Sequence, residues 1–136
     1  MKTLIFRGLI VMGILTMIST QMWAQENKGA LLEYKEKSME LGTLYTDELK
    51  PVSTEIEFTN DGDEPLIITT ARGCCGTRIK AYPREPIIPG EKAFIEIEFR
   101  LAPRPHNINR TISVMSNDER GMRVFRITGE VAERGS

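Results

Sequence analysis

The sequence predicts an all-β domain behind an N-terminal segment of different character. From Pro51 onward, apolar residues recur at every second position, which places alternate side chains on one face of a strand. The alternating runs are separated by short stretches rich in Gly, Asn, Asp and Pro, the residues that favour turns. All seven prolines fall between the runs or at their starts, where a missing N–H interrupts no ladder. Together these observations predict an immunoglobulin-like antiparallel β-sandwich of about seven strands.

The first segment of the domain, 29–44, fits two kinds of structure. Its apolar residues lie on one side of a helix as well as they fit a strand, and they are Ala30, Leu31, Tyr34 and Leu41. Gly42 and Thr43 break the helical pattern, and the rest of the domain offers only a sandwich to join. We therefore favour a strand over a helix for this segment.

Four later segments carry the alternation clearly and are predicted to be half-buried antiparallel strands with one wet face. Their inward positions are Val52, Thr54, Ile56 and Phe58; Ala93, Ile95, Ile97 and Phe99; Ile108, Ile112 and Val114; and Phe125, Ile127, Gly129 and Val131. Arg110 and Ser113 are counted with the polar residues of the third segment. The acidic residues Glu55, Glu57, Glu96 and Glu98 alternate with core positions, so we interpret them as a solvated sheet face and not as paired catalytic acids.

Two further strands and three turns complete the predicted fold. Residues 66–70 are dense in apolar and β-branched side chains and fit a more fully buried strand, and 78–81 fits a short one. The sequence Asn-Asp-Gly-Asp at 60–63 predicts a tight hairpin that joins the strand ending near Phe58 to the strand starting near Leu66, with Gly62 at positive φ. Pro89 and Gly90 fit a type II turn, and residues 116–121 connect the last two strands.

The N-terminal segment, residues 1–24, has the order of a secretory signal peptide. Lys2 and Arg7 precede an uncharged, mostly apolar run from 8 to 18, and Ser19, Thr20 and Gln21 lead to cleavage after Ala24. The run is shorter than the roughly 20 residues that cross a bilayer, so no membrane insertion is expected after cleavage; an uncleaved anchor is the alternative. We expect an exported protein of the periplasm or cell exterior, with a short leader at 25–30, one domain at 31–131 and a frayed tail at 132–136.

Charge and motif content exclude several function classes. Lys2 and Arg7 are two of the 18 basic residues, so the exported part carries 16 basic against 19 acidic side chains, which argues against a general affinity for nucleic acid. No GxGxxG or P-loop pattern is present to cradle a phosphate. One His and two Cys are too few for a four-ligand zinc site and give little support to a Ser-His-Asp or Cys-His site. We expect no enzymatic activity and no cofactor.

Four segments stand out in order along the chain: 39–44 (MELGTL), 58–66 (FTNDGDEPL), the cysteine-containing 73–77 and 86–91 (PIIPGE), with support from 116–117 and 127–131. Together they resemble a known family, the bacterial domain of unknown function 1573. The resemblance covers residues 31–131. The family is similar to the Hydin-like and major-sperm-protein-like branches of the immunoglobulin-like fold. The resemblance implies an exported seven-stranded sandwich, found alone or beside other envelope modules, with no established activity.

The sequence departs from the family pattern at its cysteines. The family usually shows Cys-Gly-Cys-Thr, whereas this chain has Cys74, Cys75, Gly76 and Thr77, so the second cysteine has moved by one place. A role that the two family cysteines share is therefore not carried over to this pair.

Cys74 and Cys75 are the candidate thiol site, and three interpretations of them stay open. They are structural thiols at a loop, a vicinal disulfide that stiffens or switches the loop, or a thiolate site for a soft metal or an intermolecular disulfide. A bridge between neighbours joins Cα atoms about 3.8 Å apart, below the usual range, so it is strained and easily reduced. Arg72, Arg78 and Lys80 flank the pair and would lower a thiol pKa if they pointed at it; the equal alternative is that they are solvated ends of strands.

The remaining candidate binding residues lie in predicted loops. His106, in the run Pro-Arg-Pro-His-Asn at 103–107, is interpreted as an exposed loop residue and not as a catalyst. Arg84, Arg100, Arg104 and Arg110 make the proline-rich loops basic, which suits an acidic partner or an anionic surface, or keeps the domain soluble. The leading hypothesis is a non-enzymatic module that binds or supports another envelope protein through its loops or an exposed strand edge. The alternative is redox or soft-metal chemistry at the cysteine pair.

Overall fold

Eight β-strands make up the residues that the computed structural model describes, 27–135. In chain order they are β1 (Leu32–Tyr34), β2 (Ser38–Tyr45), β3 (Val52–Asn60), β4 (Ile68–Gly73), β5 (Arg78–Ala81), β6 (Lys92–Phe99), β7 (His106–Ser116) and β8 (Arg123–Ala132). The predicted signal peptide lies outside the described residues. Within residues 27–135, no helix is long and apolar enough to span a membrane.

The strands form two four-stranded sheets. The first sheet has the order β1-β3-β6-β5 and the second β2-β8-β7-β4. Every pairing is antiparallel except that of β2 with β8, which is parallel. The edge strands are therefore β1 and β5 in the first sheet and β2 and β4 in the second.

The core lies between the two sheets and is built from the alternating positions. Large side chains with less than 2% exposure come from both sheets and include Phe58, Ile95, Ile97, Phe99, Ile112, Val114, Ile127 and Val131. Their intervening neighbours face solvent, so the predicted inward positions of β3, β6, β7 and β8 are confirmed. The domain is an immunoglobulin-like all-β sandwich, as the alternation predicted.

The first segment is strand, as favoured, but it contributes two strands and not one. β1 joins the first sheet beside β3, and β2 joins the second sheet beside β8. This division raises the number of strands from the expected seven to eight. Residues 27–30, expected to be a leader, lie against the chain after β3, where the N–H of Lys28 donates to Asp63 Oδ2 (2.9 Å) and Ala30 is 3% exposed. At the other end, β8 extends through Ala132, and Arg134 forms an ion pair with Asp47 (3.3 Å).

The predicted hairpin at 60–63 is wrong. β3 belongs to the first sheet and β4 to the second, so this connection crosses between sheets instead of reversing within one. Gly62 does not take a positive φ. Glycine is required there because a Cβ would stand 2.0 Å from the carbonyl oxygen of Gly29, where no side chain fits. The turn at Pro89 and Gly90, in contrast, has φ 84° at Gly90 and a Glu91 N–H to Ile88 O bond of 3.0 Å, which fits type II.

The prediction of a more fully buried strand at 66–70 is also wrong. Leu66 and Ile68 are buried, but Ile67 between them is 47% exposed. The strand β4 begins only at Ile68 and lies at the edge of the second sheet, with one face in solvent. Local composition did not distinguish an apolar edge strand from a central one.

The acidic face of the first sheet provides a test of its register. Glu55 of β3 lies directly opposite Glu96 of β6, and both side chains are exposed. Like charges in directly opposed positions destabilise a sheet. Glu96→Lys is therefore expected to stabilise the domain by about 0.5 kcal/mol at low salt and by less at high salt, measured by urea denaturation. Glu130→Lys makes the same change of charge opposite Asn107, and an equal gain there would contradict the assigned pairing.

Candidate functional site

The two cysteines lie in the turn that carries the chain from β4 in the second sheet to β5 in the first. The N–H of Thr77 donates to the carbonyl oxygen of Cys74 (3.0 Å), which closes a four-residue turn. The two central residues, Cys75 and Gly76, have φ values of 60° and 81°. Positive φ at both central positions is the signature of a type I′ turn. Among residues 27–135, Cys75 is the one non-glycine residue with positive φ, a conformation that costs free energy for an L-residue.

The residues at the two ends of this turn fit each other closely. A Cβ on Gly73 would lie 2.5 Å from the carbonyl oxygen of Thr77 and 2.8 Å from its Cβ, so only glycine fits where β4 and β5 diverge. Thr77 itself is 8% exposed. The close approach of Gly73 and Thr77 therefore fixes the backbone of the turn, including Cys75 with its positive φ.

Strand β7 holds the first cysteine through its backbone. The N–H of Cys74 donates to the carbonyl oxygen of Thr111 (3.0 Å), and the N–H of Thr111 donates to Cys74 Sγ (3.2 Å). A backbone N–H aimed at sulfur favours the thiolate over the thiol. Cys74 is half-buried and Cys75 exposed, and both are free thiols.

Arg110, predicted to belong to the basic loops, lies at this turn instead. It has the parity of Ile108 and Ile112, and its half-buried side chain extends to the turn. One guanidinium nitrogen donates to the carbonyl oxygen of Cys75, and the other donates to Arg100 O (2.8 Å). The guanidinium carbon lies 5.2 Å from the centroid of Phe99, within cation–π range. Arg110 thus ties the turn to the end of β6.

The environment makes the two thiols unequal. The Cys75 thiol donates a hydrogen bond to Cys74; this bond, the N–H of Thr111 and the charge of Arg110 together hold the pKa of Cys74 below its usual value. The same thiol–thiol bond raises the pKa of Cys75, because Cys75 is the donor, and its small burial acts in the same direction. Cys74 is therefore the more acidic thiol of the pair.

The flanking basic residues match the second interpretation, that of solvated strand residues. Arg72 and Arg78 are exposed on β4 and β5, and Arg110 is the cation that lowers the pKa of Cys74. The positions of the strands explain why Arg110, and not Arg72, acts on the thiol. Arg72 lies on the solvent face of an edge strand, whereas the Arg110 side chain reaches the turn from β7.

The other candidate binding residues stay dispersed. Arg84 stacks on Tyr82, with 4.1 Å from the guanidinium carbon to the ring centroid. Arg104 is exposed in the loop before β7. His106 was placed in that loop, but it is the first residue of β7, and its Nδ1 lies 2.6 Å from the carbonyl oxygen of Arg104. The His106 ring is thus bonded to the backbone two residues earlier. Arg84, Arg104 and His106 do not lie with the cysteines in a common site.

Metal-ligating groups are sparse in the described part of the chain. Within residues 27–135, no group of three or more His, Cys, Asp or Glu side chains is placed to hold a metal ion. The cysteine pair alone offers two adjacent sulfur ligands. A groove of about 500 Å³ lies between the start of β2 and β3, and is lined by residues that include Lys35, Glu55, Glu57 and Phe94. Within this groove Glu57 forms an ion pair with Lys35, with 3.0 Å between Oε2 and Nζ.

A second candidate site is an apolar patch beside the free edge of β4. It consists of Ile67, Met115, Met122 and Val124, which are 47%, 41%, 54% and 40% exposed. Met115 lies opposite Thr70 of β4, and Val124 lies opposite Ser113 on the neighbouring strand. We call these four residues, together with Thr70, the β4 edge surface.

Comparison with known proteins identifies a family and several structures with a similar fold. The family model described as Protein of unknown function (DUF1573) matches residues 32–131. No curated protein matches the chain. A crystal structure of a protein of unknown function from Porphyromonas gingivalis W83 is similar at 18% identity and a TM-score of 0.62, over 81% of this chain and 51% of that one. The ASH / PapD-like domain 7 of human CEP192 is similar at 12% identity and a TM-score of 0.51, over 80% of this chain and 88% of that one.

A similar fold also occurs inside a larger enzyme. The secreted serine protease VesC from Vibrio cholerae matches at 11% identity and a TM-score of 0.62, over 80% of this chain. The chain spans 24% of the length of that protease and about half the length of the bacterial protein of unknown function. At these identities the likeness shows the fold alone.

Proposed function

The chain belongs to the family of proteins of unknown function DUF1573, and from that premise we propose that it is a non-enzymatic immunoglobulin-like module of the cell envelope. Its role is to bind an extended segment of another exported protein along the edge of β4. The observation that carries this proposal is a free strand edge bordered by exposed apolar side chains.

Among the four edge strands, β4 is best suited to accept an added strand. Its pairing with β7 is regular over the four residues from Thr70 to Gly73, whereas the regular runs of β1 and β2 are three residues long. The N–H of Cys74 points to β7, and direction alternates along a strand, so the N–H groups of Ala71 and Gly73 point away from the sheet. An extended peptide satisfies such groups by adding a strand. β5, an edge strand of the other sheet, is only four residues long and carries Arg78 and Lys80; short, charged edges discourage strand addition.

The apolar patch defines the partner's chemistry. Met115 and Val124 stand on the outer face of the second sheet, where an added strand would bring every second side chain over them. Exposed contiguous apolar residues mark interaction surfaces, and methionine adapts to varied partners. The segment that fits is extended, with apolar residues at alternate positions. The signal-like residues 1–24 support an exported partner, because both proteins would then share a compartment.

Site-specific photocrosslinking tests this proposal in the native envelope. A photoreactive residue is placed at Thr69, on the β4 edge, and, as the matched control, at Thr128, exposed on β8 of the same sheet. We expect the Thr69 probe to yield one dominant adduct whose crosslinked peptide maps to a single extended segment of another exported protein. Met115→Lys is expected to lower this yield about tenfold or more, and Thr128→Lys to leave it unchanged.

Two results would count against the proposal. Equal adducts from the Thr69 and Thr128 probes would show that contact is non-specific. An adduct made of two copies of this chain would show that the edge pairs with itself and not with a partner protein.

A further inference from the structure

We propose that Cys74 and Cys75 form a thiol–disulfide exchange site, in which Cys74 is the attacking sulfur, held by the N–H of Thr111, and Cys75 is its exposed neighbour. The substrate class is a small, flexible disulfide, and the product is a mixed disulfide on Cys74. This site shares no residue with the β4 edge surface, and its test does not depend on the proposed partner.

The contacts of the two sulfurs assign the roles. Cys74 Sγ accepts the N–H of Thr111 at 3.2 Å, a fixed donor at the end of a sheet ladder. Cys75 is exposed, and the pKa of Cys74 is held below its usual value by hydrogen bonding from the Cys75 thiol and from the N–H of Thr111. The thiolate, not the thiol, attacks a disulfide. The fixed N–H of Thr111 therefore assigns the attacking role to Cys74.

The turn keeps the pair from closing on itself. Adjacent Cα atoms are about 3.8 Å apart, below the usual spacing of bridged cysteines. Closure also requires rearrangement of Cys75, whose φ of 60° is held by the Thr77 N–H to Cys74 O bond on one side and by Arg110 on the other. A mixed disulfide on Cys74 is therefore expected to persist instead of being displaced by its neighbour.

The exchange step balances without any further reactant. Cys74 loses its proton to solvent, and its sulfur attacks one sulfur of the substrate R–S–S–R. The substrate S–S bond breaks as the Cys74 Sγ–S–R bond forms, and the departing R–S⁻ takes up a proton to become R–SH. Cys74 is oxidised and one half of the substrate is reduced. A small thiol reverses the step and regenerates Cys74.

Access to the site sets the size of the substrate. Cys74 is half-buried behind the exposed Cys75, and Gly76 beside them presents no side chain. A flexible low-molecular-weight disulfide can reach Cys74 Sγ, whereas a rigid protein surface would meet Cys75 first.

The probe for the first experiment is oxidised glutathione, mixed with the reduced full chain at neutral pH. Intact mass and tandem mass spectrometry follow the product. We expect one glutathionyl group per chain, on Cys74, formed about fivefold faster in Cys75→Ser, which lacks Cys75, than at the remaining cysteine of Cys74→Ser. Loss of two hydrogens without an adduct, which marks an internal disulfide, would overturn the proposal, as would faster reaction at Cys75.

The second experiment separates the hydrogen bond of Cys75 from its bulk. Serine at 75 retains an O–H donor, and alanine does not, so the pH profile of Cys74 modification is expected to shift upward in Cys75→Ala and to stay close to wild type in Cys75→Ser. Arg110→Gln is expected to shift the profile in the same direction as Cys75→Ala, whereas Arg72→Gln, which alters an exposed flanking charge, is expected to leave it unchanged. Identical profiles for all variants, in proteins with unchanged melting temperatures, would refute the assigned roles.

Discussion

Replacing Asn60 with aspartate is expected to destabilise the domain by about 3 kcal/mol or more at neutral pH. Asn60 ends β3 and is fully buried. Its Nδ2 donates to the carbonyl oxygens of Glu64 (2.7 Å) and Ile87 (2.8 Å), and its Oδ1 accepts the N–H groups of Leu31 (3.3 Å) and Gly62 (3.0 Å). One amide thus joins three chain segments. The carboxylate introduced by Asn60→Asp would set a buried negative oxygen against two carbonyl oxygens.

The pH dependence of this defect identifies its cause. The introduced carboxyl is expected to have a raised pKa in the folded state, since burial and the two carbonyl groups disfavour its charged form. A raised carboxyl pKa costs stability above the unfolded value near pH 4, and the cost disappears as pH falls through that value. Urea denaturation of wild type and variant from about pH 7 to pH 4 should show the gap narrowing. Asn109→Asp, on the exposed face of β7, is the control and is expected to change stability by less than about 0.5 kcal/mol; an equal loss there would contradict a specific role for Asn60.

Asn60 also shows which part of the fold the sequence could predict. Strand identity follows from alternation, a local property, and the inward positions of β3, β6, β7 and β8 were predicted correctly for that reason. Strand pairing is not local. Residues 60–63 have the composition of a tight hairpin, but the side chain of Asn60 forms hydrogen bonds with the backbone at 31 and 87. These partners are distant in sequence, so no short-range rule predicts them. Glycine is likewise required at 62 because the distant backbone of Gly29 leaves no room for a Cβ, and not because of a positive φ.

The candidate thiol site was predicted in part for the same reason. Two adjacent cysteines stand out in any sequence, and their position in a loop followed from the strands around them. The left-handed conformation of Cys75 did not, because turn statistics assign that conformation to Gly or Asn. Proximity in sequence favoured Arg72 and Arg78 as the cations near the thiols. The pairing of β4 with β7 brings Arg110 there instead, from 35 residues away.

Asp118 provides the second large effect, because it fixes β1 to the opposite sheet. Its side chain is fully buried although it lies in the loop between β7 and β8. Asp118 Oδ2 accepts the N–H of Leu32 (2.9 Å), and the guanidinium of Arg120 donates to Asp118 Oδ2 (2.7 Å) and to Leu32 O (3.1 Å). Asp118→Asn keeps an acceptor for Leu32 but leaves Arg120 without its buried counter-charge. We expect a loss of about 2 to 3 kcal/mol, measured by urea denaturation at pH 7.

Acid unfolding should expose the same interaction in the wild-type protein. Burial alone would raise the pKa of Asp118, but the hydrogen bonds from Arg120 and from the N–H groups of Leu32 and Arg120 outweigh it and lower the pKa to about 2. Because the folded pKa lies below the unfolded one, the carboxylate stabilises the fold above about pH 4, and about 2 kcal/mol of stability is lost as pH falls from 4 to 2. Asp118→Asn removes the titrating group, so its stability should fall less steeply across that interval. Asp47→Asn, which removes an exposed ion pair with Arg134, is the control and should retain the wild-type slope. If both variants kept that slope, the acid sensitivity would belong to other carboxylates, and the clamp on β1 would not depend on the charge of Asp118.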